Sequence, residues 1–210
     1  MVVAPLSQSE SFQCWQCHGR TETLPTCSQC GVVQEIVEGT SHYDLLRLPL
    51  ALSYDSDLLR NRYYELAKLV HPDRFMTKSP QEATLAAKWT QRLNKAYQTL
   101  KTRRTGAQYL LQLLGYEMPA KPPIPMDLAE EYFGLQDLLS GGSNDGMTEF
   151  LTKLNSLRVG MEEEWKAVSQ AWDDEPKASN TKTLSKIAEL LVKEKYFDSM
   201  LADIERKQGH

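Results

Sequence analysis

Apolar residues recur at helical spacing along most of this chain and break off at only a few places. Leu59, Tyr63, Leu66 and Val70 are four, three and four residues apart, which puts them on one face of a helix. Asp55-Ser56-Asp57 offers cap-type side chains and early negative charge at the start of that helix, and Pro72 ends it. From Asp73 to Pro80 the chain is polar and has no apolar period. A second helix is predicted to begin near Pro80 to Glu82, where proline is tolerated, with Leu85, Trp89, Leu93, Ala96 and Leu100 as its stripe. Two amphipathic helices joined by a loop bury such stripes by packing antiparallel. Leu45, Leu46 and Leu48, ahead of Pro49, fit a short leading helix over one end.

The helical pattern spans residues 42–117 and stops at Pro119-Ala120-Lys121-Pro122-Pro123-Ile124-Pro125, with four prolines in seven positions. Proline lacks the N–H a helix interior needs and pushes its predecessor out of helical geometry, so this stretch is an extended connector. Three further helices are predicted beyond it. The first runs over about 126–139 and ends at Ser140-Gly141-Gly142. The second covers about 147–172, with Phe150, Leu154, Leu157, Met161, Trp165, Val168 and Trp172 in a near-heptad stripe. The third covers about 179–207, with Leu184, Ile187, Leu191, Phe197, Leu201 and Ile204, and its stripe changes phase around Lys193-Glu194-Lys195. The predicted fold is all-α: a helical hairpin and a C-terminal antiparallel three-helix bundle, preceded by a small cysteine module. The predicted boundaries are 1–40, 41–117, 118–125 and 126–210.

Composition bounds the reading without deciding it. Apolar content of 41% and charged content of 25% over 210 residues are ordinary for a globular protein. No apolar run reaches the roughly 18 residues that span a bilayer. Residues 1–12 hold no Lys or Arg and no long apolar core, so neither a secretory signal nor an Arg-rich transit peptide is expected, and a cytoplasmic location follows as the default. The net charge of −4 is unevenly spread: residues 53–104 carry eleven Lys/Arg against five Asp/Glu, and residues 125–175 carry three against twelve. Two surfaces with different partners are therefore expected. No paired catalytic carboxylates, activated nucleophile or phosphate-cradling glycine loop stands out, so an enzyme is not expected.

The four cysteines form two pairs, Cys14-Trp15-Gln16-Cys17 and Cys27-Ser28-Gln29-Cys30, with Gly31 after the second for the backbone reversal. Two such knuckles complete a tetrahedral site of four sulfurs. Disulfides are disfavoured without an export signal, and a redox CxxC stands alone beside a βαβ pattern that is lacking here. One structural zinc per chain is expected on Cys14, Cys17, Cys27 and Cys30, with iron as the alternative metal. His18 reads as a surface residue. A segment of about 40 residues has little core of its own, so metal should supply much of its folding free energy. Arg20 is the one Lys or Arg in residues 1–40, which argues against nucleic-acid binding by this module.

His71-Pro72-Asp73 stands where the first amphipathic helix ends and the loop to its partner begins. Tyr63-Tyr64-Glu65-Leu66-Ala67-Lys68-Leu69-Val70 precedes it, and Arg92-Leu93-Asn94-Lys95-Ala96-Tyr97-Gln98-Thr99-Leu100 follows on the second helix. This arrangement resembles the J-domain family. Arg74-Phe75 after the tripeptide, Tyr109-Leu110-Leu111-Gln112-Leu113-Leu114-Gly115, and a helical tail of under a hundred residues narrow the resemblance to the HscB family. The cysteine module is similar to that of its zinc-bearing branch.

That resemblance, which covers almost the whole chain, implies a non-enzymatic co-chaperone. His71, Pro72 and Asp73 would engage the ATPase domain of an HscA/DnaK-type heat-shock chaperone and promote hydrolysis. Arg60, Arg62, Lys68 and Arg74 would dock on its acidic surface. The client would be the iron–sulfur scaffold protein IscU, held by Leu128, Ala129, Tyr132, Phe133 and Gln136, with Tyr196 from the last helix; Leu128 and Tyr132 also read as bundle core. The family commonly places acids where this chain has Phe133 and Gln136. Two other readings remain open: a J-protein for a different client, and a zinc-ribbon nucleic-acid-binding protein, which the acidic C-terminal half argues against.

Overall fold

A computed structural model describes residues 12–21, 25–118, 122–123, 125–141, 144–174 and 181–208. Most of the leader-free reading of residues 1–12, and the Pro119-Ala120-Lys121 and Ile124 parts of the connector, fall outside the described residues. The chain divides into two compact units, Met1–Gly115 and Tyr116–His210. No helix is long and apolar enough to cross a membrane among the described residues.

The first unit opens with a two-stranded antiparallel ribbon, β1 (Phe12–Gln13) and β2 (Arg20–Thr21), which closes the first cysteine turn. Helix α1 (His42–Leu45) begins in a capping box: the Ser41 hydroxyl accepts the Asp44 N–H while the Asp44 carboxylate accepts from Ser41. Helix α2 (Ser56–Leu69) is capped by Asp55, as the sequence predicts. Helix α3 (Pro80–Leu100) has proline in its first turn and a Ser79–Glu82 capping box. The predicted stripes are the core. Leu59, Leu66 and Val70 face Leu85, Trp89, Leu93, Ala96 and Leu100, all buried, while Tyr63 is half-buried and stacks on Tyr97 at 4.5 Å.

Two local features depart from the pattern. The stretch after Val70 is not featureless: Pro72–Phe75 forms a 3₁₀ turn, and Phe75 is buried beneath it. Helix α3 ends at Leu100, the last residue of its predicted stripe, and a separate helix follows within the helical zone. A new helix α4 (Arg103–Leu113) starts at Thr102, whose hydroxyl accepts the Thr105 N–H at 3.3 Å. The Tyr54 hydroxyl donates to the Leu100 carbonyl at the break. Gly106 lets Tyr54 approach there, since a Cβ would lie 3.2 Å from its oxygen.

The second unit holds α5 (Met126–Gly141), α6 (Asn144–Asp174) and α7 (Thr181–Gln208), all packed against one another. Glu131 on α5 meets Lys153 on α6, while Gln136 on α5 meets Asp203 on α7 and Tyr132 meets Tyr196. Residue numbers thus run in the same sense along α5 and α7, and since Lys153 of α6 lies level with Glu131 while Glu164 meets Lys186 of α7, α6 runs opposite to both, as an up-down-up bundle requires. Leu128, Leu135, Phe150, Leu154, Phe197, Met200 and Ile204 form its core. Helix α7 continues through the phase shift at residues 193–195. Lys193 is buried there because its ammonium reaches Glu189 at 3.2 Å and Glu164 at 3.7 Å.

Candidate functional sites

The two cysteine turns are built alike. In the first, the Cys14 N–H donates to the Gly19 carbonyl and the His18 N–H to the Cys14 carbonyl; in the second, Cys27 pairs with Val32 and Gly31 with Cys27. Each turn needs a left-handed residue at the same place, with φ of 57° at His18 and 74° at Gly31. The glycine is legible in the sequence; its histidine counterpart is not. His18 is solvent-exposed, as expected.

All four cysteine sulfurs lie within 4.8 Å of one another. The closest pairs, Cys14–Cys30 at 3.6 Å and Cys17–Cys27 at 3.8 Å, are far outside the roughly 2.05 Å of a disulfide. Burial pushes the Cys14 thiol up, yet hydrogen bonds from the backbone of Cys17 and Gln16 and from the neighbouring sulfurs hold it at about 6. The Cys30 thiol is drawn down by the Val32 N–H, but desolvation and the other three sulfurs drive it up to about 12. Four sulfurs this close cannot all ionise without a cation between them, so the donor set fits a thiolate-binding metal. The module does not stand apart from the helices: Trp89 of α3 donates its indole N–H to the Gln34 carbonyl at 2.7 Å, and Arg92 donates to the Thr40 carbonyl at 2.9 Å.

The His71-Pro72-Asp73 loop lies at the tip of the α2–α3 hairpin. The His71 side chain caps the 3₁₀ turn, its Nδ1 accepting the Asp73 N–H at 3.4 Å. The side chains of His71 and Asp73 remain 58% and 78% exposed, so buried Phe75 anchors a loop whose polar groups face outward. Arg74 turns back to donate to the Lys68 carbonyl at 2.9 Å, closing the last turn of α2. Arg60 and Arg62 are partly neutralised by Asp57 at 2.8 Å and Glu65 at 3.3 Å. Lys68 is exposed and makes no ion pair among the described residues. Sequence reasoning missed the apolar members of this surface: Tyr64 is 62% and Met76 78% exposed. Tyr64 lies midway between Arg60 and Lys68 at i, i+4, i+8 spacing, the signal that could have found it.

On α5, Ala129, Tyr132, Phe133 and Gln136 share a face at helical spacing, but they are not equivalent. Leu128 is only 3% exposed within the bundle core, so here it supports the face from beneath and does not present itself to a partner. Phe133 is 62% exposed. Tyr132 packs edge-on against both Phe133, at 6.0 Å, and Tyr196, at 6.1 Å. The Tyr196 hydroxyl donates to the Pro122 carbonyl at 3.3 Å, and the Gln136 amide donates to Asp203 at 3.3 Å.

Comparison with known proteins agrees with the fold. The DnaJ domain family matches residues 41–109. A co-chaperone protein HscB homolog of Paraburkholderia phytofirmans is 33% identical over 120 residues, spanning 54% of this chain and 69% of that protein. The crystal structure of human co-chaperone protein HscB superposes with a TM-score of 0.72 at 25% identity, covering 94% of this chain and 98% of that one. Chaperone HscB from Vibrio cholerae gives 0.57 at 25% identity, over 81% of this chain and 98% of that one. With a J-domain hairpin, a helical bundle following it in the chain and a curated relative matched over most of its length, the chain belongs to the HscB family of J-domain co-chaperones.

Proposed function

We propose that this co-chaperone stimulates ATP hydrolysis by an HscA/DnaK-type heat-shock chaperone and delivers to it the scaffold protein IscU in iron–sulfur cluster assembly. The observation that carries the reading is the exposed His71-Pro72-Asp73 loop, held rigid by Phe75 and by the Arg74–Lys68 bond at the end of a cation-bearing helix. A few exposed cations speed association with an acidic partner more than they tighten it. The Asp73 carboxylate, 3.6 Å from His71 Nδ1 and 78% exposed, can accept charge-assisted hydrogen bonds from a partner arginine. Hydrolysis itself is the partner's chemistry; the residues of this chain bind and orient.

The scaffold is received on Ala129, Tyr132, Phe133 and Gln136, with Phe133 as the anchor and Tyr196 bracing Tyr132. Cys14, Cys17, Cys27 and Cys30 hold one zinc, which supplies structural cross-linking and no step of a reaction. The deciding experiment adds the full chain to an HscA/DnaK-type chaperone and measures ATP turnover. His71→Gln is expected to abolish stimulation with an unchanged circular dichroism spectrum, and undiminished stimulation by the variant would refute the reading.

A further inference from the structure

We infer that Gln34 is a positioning residue that couples occupancy of the cysteine site to the seating of α3 and the root of the His71 loop. This rests on the reading of the four cysteines as a metal centre and goes beyond it by naming the link to the J-domain.

Gln34 is 4% exposed. Its side-chain amide donates to the Cys14 sulfur at 3.3 Å and to the Val32 carbonyl at 3.0 Å, which uses both of its N–H groups. Its backbone is equally committed: the N–H donates to the Pro25 carbonyl at 2.8 Å, and the carbonyl accepts the Trp89 indole N–H at 2.7 Å. A buried amide is tolerated only when its polar groups are satisfied, so moving one end of Gln34 disturbs the other. The N–H···S bond stabilises the thiolate of Cys14 and fixes its direction. Loss of such an outer contact typically costs about 10–100-fold in metal affinity.

The far end of the link reaches the functional loop. Trp89 is 2% exposed, so water cannot readily replace the bond it gives to Gln34. The adjacent Thr90 hydroxyl, directed at the Ala86 carbonyl at 2.9 Å, also lies 3.3 Å from the carbonyl of Val70. Val70 is fully buried and directly precedes His71. One continuous route therefore joins Cys14, Gln34, Trp89 with its neighbour Thr90, and Val70. Coupling along it must be reciprocal: if metal on Cys14 favours the seated Trp89, loss of the Trp89 bond weakens metal binding by the same factor.

The test uses the full chain, with Co(II) as a spectroscopic probe of the sulfurs and Zn(II) affinity measured by competition with a chromophoric chelator. Gln34→Leu removes the amide donor at similar volume. It is expected to shift the thiolate-to-cobalt charge-transfer band to lower energy and to lower Zn(II) affinity by about tenfold or more. Trp89→Phe deletes a donor that bonds to backbone and not to sulfur. It is expected to lower Zn(II) affinity by about fivefold with little change in the cobalt band. Should Gln34→Leu fail to fold, Trp89→Phe alone decides. Wild-type chain that takes up no Co(II) would overturn the metal reading and the coupling together. Tetrahedral cobalt in wild type, with Trp89→Phe matching wild type in Zn(II) affinity, would overturn the coupling alone.

Discussion

Acidification should destabilise the first unit through one buried imidazole. His42 is 8% exposed, and its ring stacks on Tyr109 of α4 at 4.2 Å and 15°. Its backbone N–H donates to the Tyr109 hydroxyl, while the ring Nδ1 has no hydrogen-bond partner among the described residues. Asp44 on the same helix is engaged by the Ser41 hydroxyl at 2.6 Å. Burial first, then the positive charges of Arg92 and Lys95 on α3, pushes the His42 imidazole down from 6.5 to about 4. The neutral ring is thus the folded form, and the unfolded chain takes up the proton more readily. The stabilisation is complete above pH of about 6.5 and is lost as pH falls towards about 4. At about 1.4 kcal/mol per unit, this reaches about 3 kcal/mol, against a total of roughly 5–15 kcal/mol for a typical domain. His42→Phe keeps a flat ring on Tyr109 and removes the titration. In urea unfolding followed by circular dichroism, the wild type should lose about 2.5 kcal/mol more than the variant between pH 7.5 and 4.5. Protonation of the cysteine site weakens both chains alike and cancels in the difference. Stability curves that stay parallel down to pH 4.5 would show that the burial argument is wrong.

Three other outcomes follow from the structure. Leu93→Ala, at a fully buried position of α3, should cost about 2–5 kcal/mol in urea unfolding. Phe133→Ala should leave stability within about 0.5 kcal/mol, because the ring is 62% exposed, yet weaken capture of the scaffold by about 5- to 30-fold, roughly 1–2 kcal/mol, in titration calorimetry; unchanged capture would remove Phe133 from the client face. Cys27→Ser should eliminate bound zinc in elemental analysis and lower the thermal midpoint of the first unit, since Cys27 is one of four clustered sulfurs.

The hairpin was legible because its stripes repeat over fourteen and twenty-one residues of helix, long enough for periodicity to dominate. The cysteine cluster was legible because its spacing alone nearly determines it. What escaped was set by individual contacts that periodicity does not encode. Phe75 and Met76 read alike as two apolar residues in a polar loop until the 3₁₀ turn folds Phe75 inward and leaves Met76 outside. The break before α4 has no proline or glycine to announce it; the Thr102 cap and the Tyr54–Leu100 bond impose it. The continuity of α7 was legible; what the phase shift at 193–195 hid is that Lys193 is accommodated by Glu189 and by Glu164 of another helix. Leu128, expected on a binding face, went to the core because α5 has one buried side and periodicity does not say which neighbours will cover it. Gln34 and His42 are polar residues whose roles depend wholly on burial, which no local pattern encodes.

The bonds that secure the cysteine module differ greatly in reach. Each knuckle closes on itself within five residues, whereas the Gln34–Trp89 bond spans 55 and the Thr40–Arg92 bond 52. During synthesis at about 5–20 residues per second, Gln34 would emerge about 3–11 s ahead of Trp89. Local closure of ten-residue loops takes well under a microsecond, so the two turns have time to sample their metal-binding geometry before a docking helix exists. Synthesis from the N-terminus therefore gives the two cysteine turns time to close before α3, which docks on their module, exists.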